Sequence, residues 1–583
     1  MPSLSTWRLR SETANTLTAL TLALAAALFT LWQSAHVAVL WDLAYLLDSS
    51  YRFTLALQHA GPLPYRDLPF AHPPLTFLLQ AVLIRLFGRV YWHAIAWAAL
   101  ANAAATLLTW RISLRILPQR RGLATLLATT LIPLGLYSLY PHPIYDSDCI
   151  LAILAALYLL LRSADSLPSA HRWPGQIPAL LAGAACVLPL FFKQNIGLLF
   201  LATTLASVTA ILLARRLRRE PIAAQLAVLT GAALALAAAG LTLHLTVGLA
   251  SYRYWTLTFA AQRRLPGLST LLGVYHQPSL LWTVPTSLAA VFMLSRAKRM
   301  SSRPNREARS GETPVLALWL AAALLLAPFA YAALTFFLAD DPSDRADALL
   351  SLWPHLLLLA ALFALDQLRR RPTLLTLLPV ILLATIHGTF LSQQLWGSTY
   401  ALWPLLLLLL ALAFRELPAI ATPLGLAATA TFLLCGTPYA LSLERLSYNH
   451  LSGTLAHATL PALRGMATPG HYLPNFEQLV RTTNTLIPAA DGILLLPGQE
   501  PFYFATGRTP QMPILLLDPA TNPYSPLQLR DQARRHNIQW LILNTDLQLT
   551  ADPIPNLPDY VNALLPDFAL VRTLPGYTLY RRR

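Results

Sequence analysis

The chain has 583 residues, 56% of them hydrophobic and 12% charged, with a net charge of +16. Soluble domains carry about a quarter charged residues, so the composition excludes an ordinary soluble protein. The basic excess falls in Arg clusters between apolar stretches, as positive-inside topology requires, and this argues against nucleic acid as a partner.

The first apolar stretch runs from 14 to 40, with Arg8 and Arg10 ahead of it. Those charges put the N-terminus on the cytoplasmic side. The stretch is too long for a signal-peptide core and has no clear cleavage site. Asp42 to His72 then falls outside. "PPLTFLLQAVLIRLFGR", from Pro73, is short for a span. If it crossed, "RISLRILPQRR" would lie outside against the charge rule, so residues 73–88 are expected to lie along the outer interface.

The second span is expected at 90–110, and the chain then alternates. Residues 122–140 lead out to "YPHPIYDSD", 149–162 return to "RSADSLPSAHR", 177–192 lead out to "KQN", and 196–213 return to "ARRLRRE". Residues 222–249 lead out to "SYRYWTLTFAAQRRLPG", read as a second interfacial helix, and 279–295 return. Spans follow at 315–338, ending at "ADDPSDRAD", then at 348–366, 373–390, 400–413 and 418–437. At about 20 apolar residues per span, the count is about thirteen.

The predicted fold is mainly α: a polytopic transmembrane helix bundle over 1–440, with an extracytoplasmic α/β domain over 441–583. In the latter, "GILLLP", "PILLLD", "IQWLILNT" and "FALVRTL…YTLYRR" read as strands, and "SPLQLRDQARRHN" and "LPDYVNALLP" as helices. No glycine-rich phosphate loop is present, so a nucleotide site is unsupported. Cys149, Cys186 and Cys435 lie in or beside apolar segments and form neither a ligand cluster nor a disulfide framework.

The outward charges are the functional candidates. If "WDLAYLLDSSYR" is helical, Asp42, Tyr45, Ser49 and Arg52 share a face and Asp48 lies off it. Arg66 and Asp67 follow in the same outer segment, and His72 stands before Pro73 and Pro74. Asp146 and Asp148 are spaced D-x-D, a pair able to chelate a divalent cation or to divide base and orienting roles. Lysine occurs only at 193 and 298. Lys193 lies alone in "LFFKQNIGLLF", where a charge either snorkels or meets an anion. Asp347 and His355 face outward near one span end. Carboxylates with cations suit group transfer from a phosphate to a hydroxyl: a base takes the acceptor proton and cations stabilise the departing phosphate. Outside the membrane, where nucleotide sugars are absent, that phosphate donor is a lipid.

Asp42 after the first span, "LPYRDLPFAHPPL", "YDSD", "KQN" and the late "GSTYALWPLL" together resemble the GT-C superfamily of integral-membrane glycosyltransferases. The likeness is to its bacterial Rgt-type and aminoarabinose-transferase-like branch, related to protein O-mannosyltransferases, and covers about 1–440. It implies a polyprenyl-phosphate sugar donor, inversion at the anomeric carbon, and an active site at the outer face of the cytoplasmic membrane. The family's acidic motif often reads Asp-Glu, whereas Leu43 follows Asp42, which throws weight onto Asp146 and Asp148. Aminoarabinose transferases have Lys before Pro-Pro, whereas this chain has His72.

The expected catalytic residues are therefore Asp42 as base with Asp146 and Asp148. Arg52, His72 and Lys193 are expected at the donor phosphate, and Tyr45, Arg66, Asp67 and Asp347 in the substrate cavity. No cofactor is expected; a divalent metal held by Asp146 and Asp148 is the less favoured option. The expected partners are a polyprenyl-phosphate-linked sugar, membrane lipid and an envelope acceptor: glycolipid such as lipopolysaccharide, polysaccharide or protein. The alternative is a polytopic transporter or flippase of a lipid-linked sugar, which calls for broken helices or an inverted repeat; no repeat is evident.

Overall fold

The computed structural model describes residues 4–165, 176–301, 312–392, 395–498, 500–518, 521–551, 554 and 556–583. The loop segments 166–175 and 302–311, expected on the cytoplasmic side, lie outside the described residues. Helix α1 (Leu4–Ser34) is followed by α2 (Leu40–Leu57), α3 (Leu75–Phe87) and α4 (Trp92–Ile116). Then come α5 (Arg121–Thr129), α6 (Leu131–Leu134) and α7 (Tyr145–Asp165). Among the described residues, 7 helices are long and apolar enough to cross a membrane, and 4 shorter apolar helices accompany them. This is a multi-pass membrane protein.

The expected spans are in several places broken rather than continuous. Residues 122–140 form α5 and α6, because Pro133 has no N–H to give the carbonyl of Thr129. Residues 177–192 divide likewise into Ile177–Ala185 and Leu188–Phe192, where Pro189 interrupts the ladder. Residues 348–366 belong to two helices, Pro342–Leu350 and Leu352–Leu368. Helix α7 starts at Tyr145, earlier than its apolar run, so Asp146 and Asp148 occupy its first turn, where the helix dipole favours carboxylates. The segment at 73–88 is the 13-residue α3, too short to span.

Close helix packing uses small residues. A Cβ at Gly183 would stand 1.9 Å from the carbonyl oxygen of Val228, and one at Gly231 2.0 Å from that of Leu180. The helices Ile177–Ala185 and Ala223–Thr246 therefore meet backbone to backbone, the mode that small residues permit in membranes.

The strands of the main sheet are β3 (Gly492–Leu496), β4 (Ile538–Asn544), β5 (Phe568–Leu574) and β6 (Tyr577–Arg582), after a short antiparallel pair, β1 (Leu455–His457) and β2 (Ala467–Pro469). The order is β3-β4-β6-β5, with β3 parallel to β4 and the others antiparallel. Three of the four expected strand segments thus appear, the last as the β5–β6 hairpin. "PILLLD" is not a strand: Met512–Asp518 runs irregularly. Both expected helices form, as Pro526–Arg535 and Leu557–Leu564. The helix Tyr472–Leu486 was not anticipated.

β3 is buried along its whole length, so its alternate side chains serve two cores. Leu494 and Leu496 pack with Leu529 and Leu541 beneath the helix Pro526–Arg535. Ile493 and Leu495 join a cluster that also contains Leu43, Phe53, Phe70 and Phe77. One apolar core therefore runs from the sheet into α2 and α3, and it fixes the sheet region against the segment that carries the outward charges.

Candidate active site

A cavity of about 210 Å³ opens at the N-terminal end of α2. Asp42 and Tyr45 line it from that helix, His72 from the segment before α3, and Tyr140, His142 and Tyr145 from the approach to α7. Leu516, Asp518 and Thr521, from the irregular segment after residue 512, close its other side.

Asp42 sits in the first turn of α2. Its Oδ2 accepts a 2.7 Å hydrogen bond from the Tyr448 hydroxyl. Burial raises its pKa above the usual carboxylate range, opposed by the hydrogen bond from Tyr448 and by the nearby Tyr140 hydroxyl. A carboxylate so raised is a stronger base than a solvated one.

Across the cavity the side chains form a relay. The Tyr45 hydroxyl is 2.6 Å from His72 Nδ1, and the Tyr65 hydroxyl donates to the His72 carbonyl at 2.6 Å. The His72 ring lies 4.5 Å from the ring of Tyr145. Lys193 Nζ stands 4.2 Å from the centre of that Tyr145 ring and 3.1 Å from Asp146 Oδ2. Lys193 is the extended residue joining the helices Leu188–Phe192 and Gln194–Leu217. The helix break turns an apparently stranded lysine inward, where its side chain is 4% exposed and Asp146 compensates its charge.

The D-x-D spacing divides in structure. Asp146 faces Lys193, while Asp148 accepts from Tyr137 at 2.6 Å, Trp97 at 2.9 Å and Thr76 at 2.8 Å. Asp148 thus ties α7 to α3 and α4, and the two carboxylates do not form a chelating pair. Among the described residues no three His, Cys, Asp or Glu side chains gather as a metal site.

Four expected site residues lie elsewhere. Arg52 is buried and gives both terminal nitrogens to carbonyls, Nη1 to Pro513 at 2.9 Å and Nη2 to Met512 at 2.6 Å. The shared face with Asp42 does not carry it into the cavity, because the later turns of α2 lie under the sheet region. Arg66 and Asp67 pair with each other on the surface at 2.9 Å and do not line the cavity. Asp347 is exposed on the helix Pro342–Leu350, and neither it nor His355 is part of the lining. His355 is buried, with Nε2 3.3 Å from the Ser287 hydroxyl.

Asp48 is the neighbour of Arg52. Its oxygens accept from the main-chain N–H of Phe504 at 2.7 Å and Tyr503 at 3.2 Å. Burial lifts its pKa to about 7 against those bonds and the nearby Arg52 charge. Tyr51 adds a hydrogen bond to the Gly507 carbonyl at 2.9 Å. These contacts clamp 503–513 onto α2 and hold the continuing segment over the cavity.

Tyr140, His142 and Tyr145 stand within "YPHPIYDSD", where the aspartates drew the attention. Tyr448, Asp518 and Thr521 had no local signal, since they meet α2 only through the fold.

Residues 71–243 match the model of a family described as dolichyl-phosphate-mannose-protein mannosyltransferase. That segment includes His72, Asp146 and Lys193. Among solved structures, the chain is similar to ArnT from Cupriavidus metallidurans bound to undecaprenyl phosphate. The identity is 13% and the TM-score 0.44, covering 97% of this chain and 98% of that one. It is also similar to the oligosaccharyltransferase AglB from Archaeoglobus fulgidus in complex with an inhibitory peptide and a dolichol-phosphate, at 11% identity and a TM-score of 0.48, covering 97% of this chain and 74% of that one. No curated protein matches the chain.

Proposed function

We propose that the protein transfers a sugar from a polyprenyl-phosphate donor to a hydroxyl of an envelope acceptor, with inversion, at the outer face of the cytoplasmic membrane. The observation that carries this reading is one cavity with a raised carboxylate, Asp42, on one side and His72, backed by Tyr145 and Lys193, on another. The match of 71–243 to a family named for a lipid-phosphate sugar donor supports it.

In this mechanism Asp42 takes the proton of the acceptor hydroxyl as the oxygen attacks the anomeric carbon. The carbon–oxygen bond to the acceptor forms, the bond to phosphate breaks, and the electron pair leaves with polyprenyl phosphate. His72 contacts the departing phosphate, and Lys193, tied to Asp146, backs the Tyr145 ring that lies against His72. A single displacement inverts the anomeric centre. No step calls for a metal. The sheet region is extracytoplasmic, and its residues Leu516, Asp518 and Thr521 form the cavity's acceptor-side wall.

Mass spectrometry of envelope glycolipids, polysaccharide and glycoproteins from a deletion strain tests the reading. The expected result is loss of one sugar from one acceptor class, restored by the wild-type gene. Loss of that sugar with the lipid-linked donor held on the cytoplasmic leaflet would instead indicate a flippase, and an unchanged envelope would overturn the reading.

A further inference from the structure

We infer that Tyr448 is a positioning residue for Asp42: it fixes the carboxylate's orientation at the cavity wall and sets how readily it takes a proton. The inference rests on the reading of Asp42 as the base. Tyr448 follows the last bundle helices and reaches α2 from 406 residues away, with its hydroxyl 2.7 Å from Asp42 Oδ2. Oδ2 is thereby engaged by a phenol held at the cavity wall.

The segment holding Tyr448 is itself anchored. Arg445 donates to the carbonyls of Leu139 and Ser442. The Thr550 N–H donates to the Tyr448 carbonyl at 3.0 Å, and the Asn449 N–H donates to the carbonyl of Leu446 at 2.9 Å. The tyrosine is thus aimed by its backbone, although its own side of the contact is 41% exposed.

Several other groups bear on Asp42. Tyr140 approaches it from the α7 side, and Tyr45, on its own helix, shares the cavity with it. His72, His142 and Asp518 line the same cavity, and Arg445 lies beside Tyr448. His142 is held neutral, its pKa lowered to about 3 by burial and by Arg445. Desolvation and the Asp42 charge keep the Tyr448 phenol protonated, so it remains a hydrogen-bond donor at working pH. A charge-assisted hydrogen bond favours the ionised carboxylate.

The test reads Asp42 directly and needs no acceptor. The full-length protein in vesicles is treated with a hydrophobic carbodiimide, which reacts with protonated carboxyls, and labelling of Asp42 is followed across pH by mass spectrometry. In Tyr448→Phe the labelling midpoint should rise by about one pH unit, the scale of a charge-assisted hydrogen bond. Tyr140→Phe should give a smaller rise. An unchanged midpoint in a folded Tyr448→Phe protein overturns the inference. Because labelling needs no turnover, a shifted midpoint in a protein whose Asp42→Asn variant stays active supports the contact while removing Asp42 from the base role.

Discussion

Asp42 and Asp48 stand on the same short helix, and their surroundings send them to different tasks. Asp42 is at the first turn, beside a cavity, with a phenol as its hydrogen-bond partner. Asp48 is sealed under the sheet region, with main-chain N–H groups as partners. A carboxylate spent on backbone donors has nothing left for a substrate. Helix α2 is both wall and foundation: its first turns face the cavity, and its later turns anchor the segment that closes it.

The sharpest way to break this comparison is to remove each charge while keeping its shape. Asp42→Asn should lower turnover by roughly 10²–10⁴-fold, the usual contribution of a general base, with insertion, folding and donor-lipid binding kept. Asp48→Asn should keep most of its turnover. Equal losses in the two would remove the distinction.

Lys193 tests the phosphate side. Lys193→Ala leaves Asp146 uncompensated in a buried site and should destabilise the fold by about 3–5 kcal/mol, with loss of polyprenyl-phosphate affinity. Lys193→Met combined with Asp146→Asn should recover stability, read by thermal unfolding in detergent, without recovering affinity. Recovery of both would reduce the pair to a structural role. Lys193→Arg should rescue partly, since charge is kept and geometry is not.

Truncation of the anchor comes next. Asp48→Ala abandons two buried N–H donors and should cost about 1–3 kcal/mol, with greater proteolysis near 503–513. The clamp also carries a pH signature. Burial raises Asp48 to about 7 and, with the Asp48 charge adding to it, Glu500 to about 7. The folded state therefore binds these protons more tightly than the unfolded one. Their contribution to stability is full below about pH 4 and is lost as pH rises toward 7. The difference in melting temperature between wild type and Asp48→Asn should accordingly change between pH 5 and pH 8, and a constant difference would contradict the burial. At the small end, Arg66→Ala and Asp347→Asn should leave turnover and stability unaltered, because both residues are exposed and outside the cavity lining.

The helices and most of the strands were legible because apolar length, Arg clusters and short β-rich runs are local signals. That Asp42, Tyr45 and His72 would come together was legible because they lie close together in sequence. Arg52 was misplaced because helical spacing gives a shared face but not what covers each turn of it. Asp48, judged to lie off that face, became the anchor for the same reason. The division of Asp146 from Asp148 was hidden because D-x-D on a helix points two side chains well apart, whereas in a loop it need not. Lys193 became interpretable only once Pro189 broke the helix before it. Tyr448 and Asp518 could not be read at all, since their places depend on a core shared by α2, α3 and the sheet.

The most direct measurement is a structure of the protein in a lipid nanodisc with polyprenyl phosphate bound. The account predicts the phosphate within hydrogen-bond reach of His72, beside the Tyr145 ring that covers Lys193. Asp42 should remain open toward Asp518 and Thr521 on the acceptor side. Phosphate bound away from this cavity, or seated on Asp42 itself, would contradict it.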